Sequence, residues 1–533
     1  MASTFMGLET SKRGLSVQQS ALYTTGHNIS NANTVGYSRQ RVNMEATAGF
    51  PGIGMNSPKI PGYLGTGAQA GAITRIRDQF IDTQFRQETT KLGYWGSKTE
   101  AISQIEDVVT EPSEYGLNKA FDEFYAAMQT LSTSPESSAT RQVAVEKAAS
   151  LADSFNYLTT QISQIQSNLK NQINVETKNV NSILTQLAQL NEQIKTTEVN
   201  GYLPNDLYDA RDLLVDELSQ YMPISIEKVA SGGNAKDIAE GSYTISMKTA
   251  DGTSVKLVEG NKASTLTAQT EIKDAAGAIS NPDFDGSDTF MPFAQFTSSL
   301  DGTVIKMGNM PEGMGMLKSL TNSYGYVETN AAGDMSTKGL LSDTLASFDK
   351  LAYEFATAFN EIHKSGYTYE EKDAAGNVIT PSVLGGEFFV PIDPSKPLSA
   401  SNMKVSDALK NFNLVAVSSR PGEAGNGENA IAMSNLKTKL LVGLGNASTQ
   451  TFYQGMIGDI GVKGQQAIKM ASNSTNLQLT ISNNRASVSS VSLDEEMTNM
   501  VMFQQAYNAS ARMITVMDET LDKIINGMGR VGL

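Results

Sequence analysis

The stretch SLDEEMTNMVMFQQAYNASARMITVMDETLDKIING, residues 492–527, places its apolar side chains at alternating intervals of three and four. Met500, Phe503, Tyr507, Ser510, Ile514, Met517, Leu521 and Ile524 fall on one line. That is the pattern of a helix packing along a partner through a coiled-coil seam. Ser492, three residues before Glu495, reads as a capping box, and Asp494 and Glu496 add negative charge at the positive end of the helix dipole. Gly527 and Gly529 supply the stop. A stripe this narrow buries too little to hold a helix in isolation, so the segment requires a partner.

The other end of the chain offers one. Leu8, Leu15, Leu22 and Ile29 recur every seven residues, with polar Ser11, Gln18 and Thr25 between them. This helix is predicted to end near Ile29 or Ser30 and to run into NISNANTVGYSRQ, residues 28–40. There Asn31, Asn33 and Gly36 can take turn or left-handed conformations cheaply, and Asn side chains can satisfy the freed carbonyls. Tyr37 and Arg39 then begin the connection to the rest of the chain. The expectation is that the two ends pair with each other and then with neighbouring copies. An ordinary intramolecular pair closing a globular domain accounts for the periodicity equally well.

Between the ends, Phe155, Leu158, Ile162, Ile165, Leu169, Ile173, Val180, Ile183, Leu187, Leu190 and Ile194 keep the three-four rhythm with one irregularity near Glu176. One helix from about Thr140 to Glu198 is on the order of 80 Å long at 1.5 Å per residue, which predicts a rod-like body. Leu341, Leu345, Phe348, Ala352, Phe355, Phe359 and Ile362 mark a further helix stopping at Gly366, the natural antiparallel partner of the long one. From Ile224 to Met314 the pattern changes to short alternating strands, as in YTISMKTADGTSVKLVEG, where Asp251-Gly252 reads as a hairpin turn. Residues 366–430, rich in Gly, Pro, Ser and Asn, read as loops and short strands against the helical body.

The expected fold class is therefore α+β multidomain: terminal helices forming a coiled-coil domain, a long-helix rod-like bundle, and an inserted β-rich domain. The expected boundaries are 1–45 plus 490–533 for the terminal domain, 46–223 plus 315–489 for the body, and 224–314 for the insertion. A chain of 533 residues agrees with several domains, since single cores stop growing at roughly 250–300 residues.

Composition narrows function by exclusion. The net charge of −15 lacks the basic footprint of a nucleic-acid binder or of a protein drawn to anionic membranes. With no cysteine, disulfides, thiolate metal sites and thiol nucleophiles are all ruled out. No apolar run is long enough to span a bilayer, and MASTFMGLETSKRGLSVQQ has no apolar signal core, so export, if it happens, takes another route.

Catalytic candidates are few. His27 and His363 are the only imidazoles, no His-Glu-x-x-His motif occurs, and both read as structural, His363 as a partly charged group at a helix C-terminus. GTGAQAG is a poor dinucleotide fingerprint, and no P-loop or Gly-x-Ser-x-Gly elbow is present. In NDLYDARD, Asp206, Asp209 and Asp212 surround Arg211. Their plain reading is a capped helix, with Asn205 or Asp206 at the cap, Arg211 neutralising its acidic neighbours, and Leu207, Leu214 and Leu218 on the apolar face. Trp95, in KLGYWGSK, is expected at a helix junction; a sugar platform there would lack an acid pair. No cofactor, metal or covalent chemistry is expected.

NISNANTVGYSRQ resembles the Asn-rich signature near the start of bacterial flagellar rod, hook and hook-associated proteins. ITRIRDQFIDTQFRQETTKLG, EPSEYGL, NDLYDARDLLVDELS and FATAFNEIHKSG resemble the hook-filament junction members of that family, as does the final helix. His27 stands where the family commonly has Asn. The resemblance implies terminal helices in an inner tube, a rod-like body outside it and an outward insertion. It implies a junction ring connecting hook to filament, assembled after type III export into an extracellular flagellum.

The partners so implied are hook protein, a second hook-filament junction protein, further copies of the chain, the export apparatus, and a cytosolic export chaperone holding the C-terminal helix. Assembly contacts are expected at Leu8, Leu15, Leu22, Ile29, Met500, Phe503, Tyr507, Ile514, Met517, Leu521 and Ile524, then at Asn31, Asn33, Gly36, Tyr37 and Arg39. Another axial subunit, or a secreted protein with ligand-binding or enzymatic activity in 224–314, is the alternative.

Overall fold

The computed structural model describes residues 5–51, 62–109, 116–269, 293, 295–300, 302–329, 335–373, 375 and 377–527. Gly529, most of EPSEYGL and residues 270–292 of the insertion lie outside them. In chain order the helices are α1 (Met6–Ser30), α2 (Gln79–Val109), α3 (Leu117–Thr133), α4 (Ser138–Val199), α5 (Asn205–Tyr221), α6 (Met316–Tyr324), α7 (Leu340–Ser365), α8 (Glu428–Asn435), α9 (Thr449–Ser489) and α10 (Leu493–Gly527). The strands that matter below are β1 (Gln40–Ala46), β2 (Ala68–Arg75), β3 (Ser225–Val229), β4 (Ser242–Lys248), β5 (Ser254–Glu259), β6 (Lys262–Ala263), β7 (Leu266–Gln269), β8 (Gln295–Ser298) and β9 (Val304–Lys306).

The chain folds back on itself in two antiparallel helix pairs. α1 runs along α10 in one register, with Gly7 against Met517, Gly14 against Ser510 and Asn28 against Glu496. α2 runs along α9 in the same manner, with Asp82 against Arg485, Thr89 against Gln478 and Ile102 against Gly464. Periodicity does not announce the second pair. α2 buries Asp82, Glu88, Thr89, Thr90 and Ser97, and α9 carries Gly455, Gly458, Gly461 and Gly464. Trp95 accordingly sits in mid-helix, half-buried with its ring edge-on to Tyr94, and not at a junction. Its neighbour Gly93 is needed for packing, since a Cβ there would lie 2.2 Å from the Gln220 carbonyl oxygen of α5.

α4 is one helix of 62 residues, about 90 Å long. Its seam passes the irregularity near Glu176 through Thr177, which is buried and turns its hydroxyl to the Ile173 carbonyl at 2.7 Å. α3 covers its first half more fully than α7 does, so the expected partner shares the role with a helix that the three-four pattern does not single out. Phe121 and Phe124 of α3, Phe155 of α4, Phe355 and Phe359 of α7, and Phe388 and Phe389 form one aromatic core, with Phe121–Phe355 edge-to-face at 5.3 Å. Each such ring contributes roughly 1.5–3 kcal/mol through burial.

The strands of the insertion cover the last half of α4. β3-β4-β5-β6 form an antiparallel sheet and β7-β8-β9 a second. Asn191 donates to the Tyr243 and Gly260 carbonyls, and Asn181 to that of Leu266. The β4–β5 hairpin turns at Asp251-Gly252 as its sequence predicts, Gly252 lying at φ +86° and Asp251 accepting the Thr253 amide.

Candidate assembly interface

α1 meets α10 along Gly7, Gly14, Ala21 and Asn28, a line one residue ahead of the leucines. A Cβ on Gly7 would lie 3.0 Å from the Met517 thioether, and one on Gly14 3.3 Å from the Ser510 hydroxyl, so small residues let the helices approach closely. Leu8, Leu15, Leu22 and Ile29 flank this line, each half-buried. On α10 the seam faces α1: Met500, Phe503, Tyr507, Ile514 and Met517 are half-buried and Leu521 buried, while Ile524 is exposed. The outer side of α10 leaves Leu493, Met497, Val501, Met502, Met513 and Val516 46–62% exposed, and Ile525, on the seam side one turn beyond Leu521, is 68% exposed. The pair thus keeps a large uncovered apolar surface.

The turn after α1 is built around Asn28. Its Nδ2 donates to the Gln40 carbonyl (2.9 Å) and to Glu496 Oε2 (3.1 Å), and its Oδ1 accepts from the Gln40 amide (3.0 Å) and the Tyr37 hydroxyl (2.8 Å). One buried side chain uses its full hydrogen-bonding capacity to join α1, β1 and α10. Arg39 completes the tie: Nε donates to Glu496 Oε1 (2.8 Å), Nη1 to Glu495 Oε2 (2.6 Å), and its amide to the Ser489 carbonyl (2.9 Å). The carboxylate expected to serve a capping box is therefore engaged by an arginine. Asn31 donates to the His27 carbonyl at 3.0 Å, as an Asn-rich turn should, but only Gly36, at φ +84°, is left-handed there. Asn33 and Gly36 are exposed, and Gly36 lies over Leu213 of α5.

NDLYDARD is the hub beneath this turn. Asn205 does not cap α5; its Nδ2 donates to Gln40 Oε1 and the Ile73 carbonyl, while Asp206 accepts from Gln40 Nε2. Asp209 accepts the Ser38 amide and pairs with Arg75. Asp212 binds Arg75 at 2.9 Å, Arg77 at 3.0 Å and Arg86 at 3.2 Å. Arg485 of α9 joins Asp82 to Asp216. Arg211 turns away from the acids of its own helix to Glu240 and the Gly241 carbonyl, and stacks 3.3 Å over the Tyr243 ring.

Burial alone would raise the Asp212 pKa, but Arg77, Arg75 and Arg86 reverse this and hold it well below the carboxylate range. For Asp209 burial wins, and its pKa is raised despite Arg75. The sequence signal for this network is the arginine pair of ITRIRDQF facing NDLYDARD, two stretches that no local pattern connects.

His27 contacts the Tyr37 hydroxyl at 3.0 Å and Asp206 at 3.6 Å. His363 is fully buried, its Nδ1 against the Gly386 carbonyl (2.8 Å) and its Nε2 accepting the Ala416 amide (3.0 Å). That pattern requires the neutral ring, and burial lowers its pKa to about 4. The expected partial charge at a helix end is thus corrected: two backbone contacts and desolvation outweigh the dipole.

Residues 102–378 match the flagellar hook-associated protein FlgK helical domain, residues 483–527 the flagellar basal body rod FlgEFG protein C-terminal region, and residues 8–37 the flagella basal body rod protein. The chain is 39% identical to flagellar hook-associated protein 1 of Bacillus subtilis (strain 168), over 99% of both chains. The chain belongs to the flagellar hook-associated protein 1 family. As a member of the FlgK family it is a structural component of the flagellar hook-filament junction. Flagellar hook-associated protein 1 of Escherichia coli (strain K12) is 27% identical over 96% of this chain and 98% of its own. The flagellar hook junction protein FlgK from Burkholderia pseudomallei shares the fold, with a TM-score of 0.56 at 15% identity over 76% of this chain and 100% of that one. Family membership places the chain with other axial components of the flagellum. Among the described residues no helix is long and apolar enough to cross a membrane.

Proposed function

We propose that copies of this chain form the junction ring between hook and filament, reaching it as secreted subunits through the type III export apparatus. The observation that carries this reading is the α1/α10 pair, which leaves a long apolar face uncovered on α10. In the ring that face and the flanking Leu8, Leu15, Leu22 and Ile29 are covered by neighbouring copies, by hook protein and by the second junction protein. Met500, Phe503, Tyr507, Ile514, Met517, Leu521 and Ile524 hold the pair in shape for them. Asn31, Asn33, Gly36, Tyr37 and Arg39 set the angle at which the pair leaves the body. Before export a cytosolic chaperone covers α10. The chain performs no covalent chemistry, and its terminal, body and insertion units follow the division 1–45 plus 490–533, 46–223 plus 315–489, and 224–314.

Ile514→Asp or Leu521→Asp tests the reading. Either should block filament assembly while the purified chain keeps the unfolding transition of its body. Normal filaments from these variants would refute the seam as an assembly element. Hydrogen exchange on the dilute monomer gives a second check: α1 and α10 should exchange far faster than α4, because the assembly supplies their missing burial.

A further inference from the structure

We propose that the cleft beside β3 seats an extended, acid-bearing peptide segment as an added strand of the β3-β4-β5-β6 sheet. β3 is the first strand of that sheet. It pairs with β4 from Ser225–Ser246 to Val229–Ser242, and its other edge pairs with no strand among the described residues. A cleft of about 990 Å³ opens along that edge, between β3 and the starts of α2 and α5. Ser225 from one face of β3, and Ile226 and Lys228 from the other, all line it, which places the strand's edge in the cleft. An open edge offers unpaired backbone N–H and C=O groups, and strand addition is the recognition mode that uses them.

The side chains around the edge specify the guest. Ile224, Ile226, Ile238 and Met314 give the cleft an apolar strip, with Ile238 52% exposed. The side chains of Arg75, Arg77 and Arg86 are 5–13% exposed, and their guanidinium groups are engaged by Asp82, Asp209, Asp212, Asp216 and Glu240. The accessible charges are Lys228, 37% exposed and 3.6 Å from Glu240, and Lys91, 44% exposed and 3.0 Å from Glu88. Among the cleft's acids Glu240 is 22% exposed and Asp82 10%. On a chain of net charge −15 this is a locally cationic groove beside an open strand edge. A strand alternating acidic and apolar side chains places one set toward the lysines and the other on the isoleucines.

The probe is a fluorescein-labelled, N-acetylated peptide (Glu-Val)3-Glu, added to the full-length chain and read by anisotropy and by hydrogen exchange. Saturable binding, slowed exchange at residues 225–229, affinity weaker by about tenfold or more in the K91E/K228E double variant, and no binding of (Lys-Val)3-Lys are the expected results. Lys228 is exposed and the Lys91 side chain partly so, and circular dichroism should show the variant folded. Failure to bind would overturn the proposal, as would binding without protection of 225–229, affinity unchanged in K91E/K228E, or equal protection by N-acetylglutamate amide. None of these outcomes bears on the α1/α10 face, so the junction reading stands or falls separately.

Discussion

α4 and α10 carry the same three-four apolar rhythm and meet different fates. α4 buries 23 of its 62 residues; α10 buries two of 35, Glu496 and Leu521. α3, α7 and the insertion's strands close over α4 with aromatic and branched side chains. α10 packs along α1, whose contact line is Gly7, Gly14, Ala21 and Asn28, and is tied at its start by Arg39. Periodicity states that a face is to be covered, and burial states whether the chain covers it itself. By that test the body folds on its own account, whereas the terminal pair is a half-covered surface held at a fixed angle by Asn28 and Arg39.

The sharpest way to break the contrast is to remove a body ring. Phe355→Ala should destabilise the body by about 3–5 kcal/mol, lowering its thermal unfolding temperature. Leu521→Ala in α10 should leave that transition in place. Equal losses from the two would mean that the regions unfold as one.

Acid should separate them next. The unfolded chain protonates His363 near pH 6.5, whereas burial delays protonation of the folded ring to about 4. Between those values acid favours the unfolded chain, so stability from this group is complete above pH 6.5 and falls by about 3 kcal/mol as pH drops toward 4. His363→Gln should flatten this part of the body's stability-pH profile, measured by denaturant titration, and leave exchange in α1 and α10 unchanged.

A smaller effect is expected at the joint. Asn28→Ala strands the Gln40 amide and loosens Tyr37 and Glu496, costing about 1–3 kcal/mol. The loss should appear as faster exchange in α1 with little change in α4. The smallest is a gain. Gly458 lies inside α9, where an added Cβ would meet nothing within 4 Å, so Gly458→Ala should stabilise by about 0.5–1 kcal/mol, seen as slower exchange in α9.

How much was legible depends on where each signal resides. The α4 seam, the α10 seam and the Asp251-Gly252 hairpin are local repeats, and periodicity reads them directly. The α2/α9 pair was not legible, because many of its buried positions are polar residues and glycines, which break the apolar rhythm, and their partners lie hundreds of residues away. At the joint, Tyr37 and Arg39 stood out beside the asparagines, but Asn28, which carries the most contacts, looked like one more polar residue in a helix. In NDLYDARD the acidic spacing was plain, yet the arginines that pair with Asp209 and Asp212 came from β2, from α2 and from Arg77 between them, and not from the stretch's own Arg211.

By itself, the sequence determined that the two ends, the α4 stretch and the α7 stretch are helices, which of their residues point to one side, and that no thiol chemistry is open to the chain. Those are properties of bonded neighbours and of composition. Only the tertiary structure decided that glycines and not leucines mark the α1/α10 contact, that His363 is neutral, and that four arginines converge on four aspartates at the base of the terminal pair. The reason is distance: close approach, desolvation and charge pairing act between atoms brought together from opposite ends of the chain, where no local pattern records them.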